Sequence, residues 1–205
     1  MIGRLDAKAR TRATGAVWLA SLLTLALPGC GGGGALDNAP SLENPAGVNG
    51  QKLSFAYFQR CVNPLLNTAL AVGSSGTTNT CSAGGCHDNT SGTGGALRLL
   101  GNASAVDLAA AADAVRASDI YKNYYSSLGE TVVGAPDQSR LLNKPLVRGV
   151  LHGGGLIFAS PDEAAARTIR YWINRPMPQG QDEFSAAAAT MFTPADPATG
   201  ACNTE

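Results

Sequence analysis

Cys81-Ser82-Ala83-Gly84-Gly85-Cys86-His87 is the stretch on which the reading of this chain turns. Cys-x-x-Cys-His is the attachment signature of c-type haem. Two thiols add across the porphyrin vinyl groups, and the adjacent imidazole then reaches the iron from one face. Here two extra residues separate the cysteines, while the terminal Cys-His pair is intact. Gly84 and Gly85 carry no Cβ and are expected to let the longer loop fold tightly. Spacings of four intervening residues occur among some multihaem cytochromes. The competing readings are a Cys81–Cys86 disulfide in an oxidising compartment and a zinc site. Zinc needs a fourth strong ligand, for which only Asp88 is near in sequence.

Outward from the motif, Gly73 to Gly95 is a loop rich in Gly, Ser, Thr and Asn. Before it, Leu53 to Val62 has the apolar spacing of a helix, which Asn63-Pro64 ends or turns, with Leu65 to Val72 continuing as a second short helix. After it, Ala-rich Ser104 to Ala117 is expected to be helical, capped by Ser104 or Asp107. Tyr121 to Leu128 adds a turn or two, and Ala135 to Leu142 a short helical piece. His152-Gly153-Gly154-Gly155 is a second glycine loop. Ser160 as N-cap, Pro161 at the first helical position and Glu163 closing a capping box predict a helix running to about Asn174, stopped by Pro176. The segment from 181 to 205 has no pattern. Strand signals are weak, and there is no internal repeat. The fold class is mostly α with long Gly-rich loops.

The amino terminus reads as an address. Arg4, Lys8, Arg10 and Arg12 precede an apolar run from Ala16 to Leu27. Twelve residues at about 1.5 Å each are too few to span a hydrocarbon core of about 30 Å. This is the pattern of a secretory signal peptide over 1–29. Leu27-Pro28-Gly29-Cys30 resembles the lipobox of bacterial lipoproteins, whose cysteine becomes the lipidated first residue; the alternative is an ordinary signal peptide. Residues 30–50 then form a flexible linker. Removing four of the 15 basic and one of the 15 acidic residues leaves 11 and 14, a net charge of −3. Nucleic-acid binding by phosphate neutralisation calls for a strongly basic chain and is disfavoured. No later segment is long and apolar enough to span a bilayer, so membrane association is expected through the lipid alone. Gly31 lacks the aspartate that retains many such lipoproteins in the inner membrane, so this resemblance places the protein in the periplasm on the outer membrane.

From Phe55 to Ile173, about 120 residues, the chain resembles the cytochrome c-like domains of planctomycete-type and related bacterial surface proteins. The resemblance is carried by Phe58-Gln59-Arg60-Cys61-Val62-Asn63-Pro64-Leu65-Leu66, Cys86-His87 and Gly94-Gly95-Ala96-Leu97-Arg98-Leu99. Ser139-Arg140-Leu141-Leu142-Asn143-Lys144-Pro145, His152-Gly153-Gly154-Gly155 and Tyr171-Trp172-Ile173-Asn174 complete it. It implies a helical cytochrome c-like domain over 51–180, with the Phe55 and Trp172 helices packed together. It also implies one covalent haem c on Cys81 and Cys86, with His87 as the proximal iron ligand. His152, the only other histidine, matches the family's His-Gly-Gly element and is the expected distal ligand. Met177, in the Pro-rich loop Arg175-Pro176-Met177-Pro178, is the alternative, and Met191 a further one. Met/His ligation gives the higher reduction potential.

Of the five cysteines, lipidation takes Cys30 and haem takes two. Cys61 and Cys202 remain, either as buried thiols or as a pair stapling the tail to the first helix. The pair closes a loop of 142 residues, for which chain entropy gives about 4–5 kcal/mol as an upper estimate. Without haem, the four cysteines after Cys30 allow three pairings. The expected activity is electron carriage between redox partner proteins. The alternatives are a disulfide-held interaction module without haem, and a haem enzyme or sensor whose sixth iron position is open. No catalytic set of side chains can be argued from spacing, and Asp162 and Glu163 read as helix-cap residues.

Overall fold

Ser54 accepts a hydrogen bond from the Tyr57 amide (3.0 Å) and so caps the first helix of the computed structural model, which describes residues 50–205. The signal peptide, the Cys30 lipidation site and the linker up to residue 49 lie outside the described residues. Helix α1 (Phe55–Tyr57) runs into a π-helical turn (Phe58–Val62) and then into α2 (Asn63–Leu66). Pro64 does not end the helix. It has no N–H to give. The wider turn, in which the Asn63 amide bonds Phe58 O, starts a fresh α segment, and Pro64 sits in its first turn, where no donor is needed.

The predicted second helix over Leu65–Val72 stops at Leu66. Strand β1 (Leu70–Ala71) pairs antiparallel with β2 (Thr78–Asn79), and the Val72 amide bonds Thr77 O at 3.0 Å. The Ala-rich stretch is helical only over α3 (Ala112–Arg116). Its exposed side chains offer no apolar face except Val115, and alanine propensity alone does not sustain a short helix. The Gln59 side chain also takes both backbone groups of Val106, at 3.0 Å each, and holds that residue out of a helix. Asp107 caps nothing longer than a turn, accepting from the Ala109 amide.

Helix α4 (Asp119–Leu128) is capped by Ser118, and α5 (Arg140–Asn143) follows a short 3-10 turn (Pro136–Gln138). Helix α6 (Ala164–Asn174) begins three residues later than the capping signals predict. Ser160 accepts from the Asp162 amide, and the Glu163 carboxylate reaches back to the Ala159 amide (2.7 Å). Neither is the reciprocal Ser160–Glu163 pairing of a capping box; both bonds close a turn that precedes the helix. Helices account for 33% of the described residues, so irregular backbone is the larger part of these.

The first and last helices meet. The Trp172 indole donates to Ser54 O (2.9 Å), and the Phe58 and Trp172 rings lie 5.3 Å apart. Tyr124 from α4 packs edge-on to Phe55 and donates its hydroxyl to Leu53 O (2.7 Å). Leu53, Phe55, Phe58, Trp172 and Ile173 are fully buried. Each such side chain contributes about 1.5–3 kcal/mol of apolar burial.

The patternless tail is an ordered part of this core. A 3-10 segment (Ala186–Met191) leads into β3 (Phe192–Thr193), which pairs with β4 (Ala201–Cys202), placing Phe192 opposite Cys202. Cys202 is disulfide-bonded to Cys61, with Cα atoms 6.0 Å apart. The Tyr57 hydroxyl donates to Asn203 O. Upstream, Glu183 is buried and accepts from Tyr121 (2.8 Å) and Arg116 (3.0 Å) while its carbonyl receives the Phe55 amide. Burial pushes the Glu183 carboxyl up, but its own amide, Tyr121 and Arg116 together pull it below its ordinary 4.5.

The tail can be probed in two ways. Replacing Cys61 and Cys202 together by alanine lowers the melting temperature by roughly 10 °C, read by thermal denaturation. The Glu183 contribution is present above about pH 4.5 and is lost as pH falls through its lower folded value. Glu183→Gln therefore flattens the acid limb of a melting-temperature profile taken from neutral to acid pH.

Candidate functional site

The loop from Cys81 to His87 is held shut by its own backbone. The Cys86 amide bonds Ala83 O and the His87 amide bonds Cys81 O, both at 2.9 Å, while Ser82 is anchored to Leu66 O at the end of α2 (3.1 Å). The four residues between the cysteines are thus folded into turns, bringing His87 back beside Cys81. Gly84 and Gly85 are not what permits this. Neither has a left-handed backbone, a Cβ on Gly85 meets nothing, and one on Gly84 comes no nearer than 3.2 Å to Ser91 Oγ.

The necessary glycines are downstream. A Cβ on Gly92 would lie 2.5 Å from Asp88 O, and one on Gly94 would lie 2.5 Å from His87 Cε1 and Nδ1. Gly94 therefore lets backbone press against the edge of the imidazole. Asp88 supports the turn between them, accepting from the Thr90 and Ser91 amides and from the Ser91 hydroxyl. The Ser91 amide and hydroxyl, with Thr90, hold its carboxyl below the ordinary range. Its carboxylate serves that turn, and among the described residues no cluster of three or more His, Cys, Asp or Glu side chains is placed to bind a metal.

His87 is buried, and its ring is oriented by the strip that follows. Nδ1 lies 3.2 Å from Leu97 O, and the Leu99 amide donates to His87 O at 2.7 Å. A proton on Nδ1 makes the first contact a hydrogen bond and leaves Nε2 as the free lone pair. Burial lowers the His87 pKa; the Leu97 carbonyl opposes this, and His152, Lys144 and Arg98 add to the lowering. The neutral ring is the form that ligates metals. The strip itself hangs on α4. The Arg98 amide donates to Ser126 Oγ (2.7 Å), and buried Asn123 bonds both the amide (2.7 Å) and the carbonyl (3.0 Å) of Leu100. Asn123 also donates to Asn63 Oδ1 of α2 (2.9 Å).

His152 faces His87. Its Nδ1 lies 2.7 Å from Gly155 O, again leaving Nε2 free. The two ring centroids are 6.4 Å apart and their planes diverge by only 12°. A metal held by this pair would take the two Nε2 nitrogens as its donors. Two adjoining cavities open at the pair, both lined by Cys81, His87, Gly94, Gly95, Lys144 and His152. The smaller has apolar walls that include Leu70, Leu97 and Phe158, together with Arg140, whose buried Nε has no hydrogen-bond partner. Cys86 lines the larger.

Cys81 and Cys86 are free thiols, not bonded to each other. Burial, reinforced by Cys86, pushes the Cys81 thiol up to about 11, so at neutral pH it is the poorly reactive protonated form. Met177 is buried elsewhere. Its amide donates to Lys52 O and its carbonyl accepts from Gln51, each at 2.7 Å, and it lines neither cavity. Met191 lies in the core beneath the tail and also lines neither.

The sequence pattern singles out the two thiols and both imidazoles. It does not point to Asn123, to the Leu97 carbonyl or to the role of Gly94. Replacing Gly94 by alanine costs about 1–3 kcal/mol because His87 or its backbone must move. The same change at Gly85 stays within about 0.5 kcal/mol. Denaturant titration of the two variants checks the pair. No protein-family model, curated protein or solved structure matches the chain.

Proposed function

We propose that this chain is a monohaem c-type cytochrome, anchored by a lipid on Cys30 in the periplasm or at the outer membrane, that carries electrons between protein partners. The observation that carries the reading is the pair of facing imidazoles. Each has Nδ1 on a backbone carbonyl and Nε2 free, and they stand 6.4 Å apart in nearly parallel planes.

The residues present fit a haem. His87 and His152 supply two neutral nitrogen donors, and Cys81 and Cys86 supply two unpaired thiols at the same cavity. Apolar walls suit the porphyrin. Lys144 and Arg140, the latter 3.7 Å from Glu130 Oε2 on the same wall, are the cations that would face its two carboxylates. When bound, haem contributes one-electron exchange at iron. The chain does the rest. Leu97 O fixes the orientation of His87, and Gly155 O that of His152. The leucine and phenylalanine walls exclude water and lower the local dielectric. With both histidines bound, the chain itself would supply the donors that a substrate would otherwise replace, which favours a carrier over an oxidase or peroxidase.

With His152 rather than Met177 as distal ligand, the potential falls below that of Met/His cytochromes. Production in a host with a cytochrome c maturation system is expected to give a protein whose intact mass includes one haem. Its oxidised spectrum is low-spin. His152→Ala abolishes the low-spin spectrum, and Met177→Leu leaves it unchanged. A colourless protein with a Cys81–Cys86 disulfide overturns the reading.

A further inference from the structure

The two facing histidines are tethered very unequally. The His87 backbone bonds Cys81 and Leu99, its ring bonds Leu97 O, and that strip is tied in turn to α4. His152 bonds only within its own turn: its ring to Gly155 O, and its carbonyl to the Gly155 amide. The backbone amides of residues 149–154 donate to no group among the described residues. The loop is pinned toward its two ends, and Leu156 O accepts from the Gly73 amide of the β1–β2 hairpin (2.7 Å). The Arg148 amide bonds Asn143 O, and the Ile157 and Phe158 amides both bond Pro145 O. Gly149 and Gly155 have left-handed backbones at φ +66° and +79°, a conformation that glycine adopts without steric cost. Val147, a β-branched residue held at φ +49°, is strained at its base. Leu151, beside His152, is 74% exposed and packs against nothing that would hold the loop down.

We infer that the His152 loop is a displaceable cover, and that the space it leaves opposite His87 is a binding site for a small uncharged diatomic ligand. This rests on the haem reading and adds a ligand to it. Glycine-rich segments with exposed amides and few packed side chains open at low free-energy cost, whereas the His87 strip cannot move without breaking buried bonds to α4. The walls near the pair include Leu70, Ile157 and Phe158 and suit a small ligand without charge, Lys144 being the one cation among the described residues that lines both cavities. With haem bound, the chain would give up one neutral donor, His152 Nε2, and the incoming ligand would supply another in its place. No proton or electron moves.

Carbon monoxide added to the reduced, haem-loaded full chain tests this by stopped-flow absorbance. The wild-type rate should level off as carbon monoxide is raised, because opening of the loop becomes limiting. His152→Ala should bind in proportion to concentration, with no plateau. A Cβ on Gly153 would meet nothing within 4 Å, and the backbone there is not left-handed, so alanine fits. Gly153→Ala should lower the plateau by about two- to fivefold by reducing the freedom of the open loop, with the oxidised spectrum unchanged. A haem-loaded, low-spin wild type that refuses carbon monoxide overturns the inference and leaves the carrier reading standing. So does a Gly153→Ala plateau equal to that of the wild type. A colourless protein overturns both.

Discussion

The site depends on one short strip of backbone, Leu97 to Leu100, stretched between a histidine and a helix. On one side Leu97 O receives the His87 ring and the Leu99 amide holds the His87 carbonyl. On the other, Asn123 bonds both polar groups of Leu100 while Ser126 takes the Arg98 amide. These contacts are buried or half-buried, where an unpaired amide or carbonyl costs about 1–3 kcal/mol. Asn123 also grips Asn63, so the strip, α2 and α4 are joined at a single side chain. Because Asn123 has no solvent exposure, water cannot replace it. The orientation of His87 is therefore set by the packing of α4 on the first helix, and that packing is set in turn by Phe55, Phe58 and Tyr124.

The tail solves a different problem. A core built from short helices leaves the outer side of the first helix uncovered. The segment after residue 180 covers it with Phe184, Met191 and Phe192, and the Cys61–Cys202 bond ties it across 141 residues of sequence. Glu183 adds a buried charge shared by Arg116 and Tyr121. None of these residues reaches the cavities. Their effect on the site is indirect, through the first helix, whose end receives Ser82 at Leu66 O.

What the sequence disclosed follows from the range of each interaction. Periodic apolar spacing placed the helices that carry Phe58 and Trp172, while cysteine counting left Cys61 and Cys202 as buried thiols or a pair, of which the structure forms the pair. Signals read from local chemistry alone erred where a distant group intervened. Alanine-rich 104–111 is not helical because Gln59, 47 residues away, holds Val106. Pro64 does not stop its helix because a π turn precedes it. Gly84 and Gly85 lie between the cysteines, yet the close approach is made by Gly94 against a ring seven residues back. A bond such as Asn123 to Leu100 leaves no trace in spacing, since it needs only one amide side chain at the right depth on α4.

The unequal tethering of the two histidines has a physical logic on the haem reading. On that reading Cys81, Cys86 and His87, the last on a buried strip, would hold the haem without help from His152. The distal segment is then relieved of any positioning duty. Its glycines need only bring one imidazole to a place already defined, so its own backbone amides need no partners. The same reasoning explains why His152 orients its ring through Gly155, three residues on, rather than through the core. The turn carries its own geometry, and can meet or leave the cavity as a unit without disturbing the Pro145 carbonyl that anchors its base.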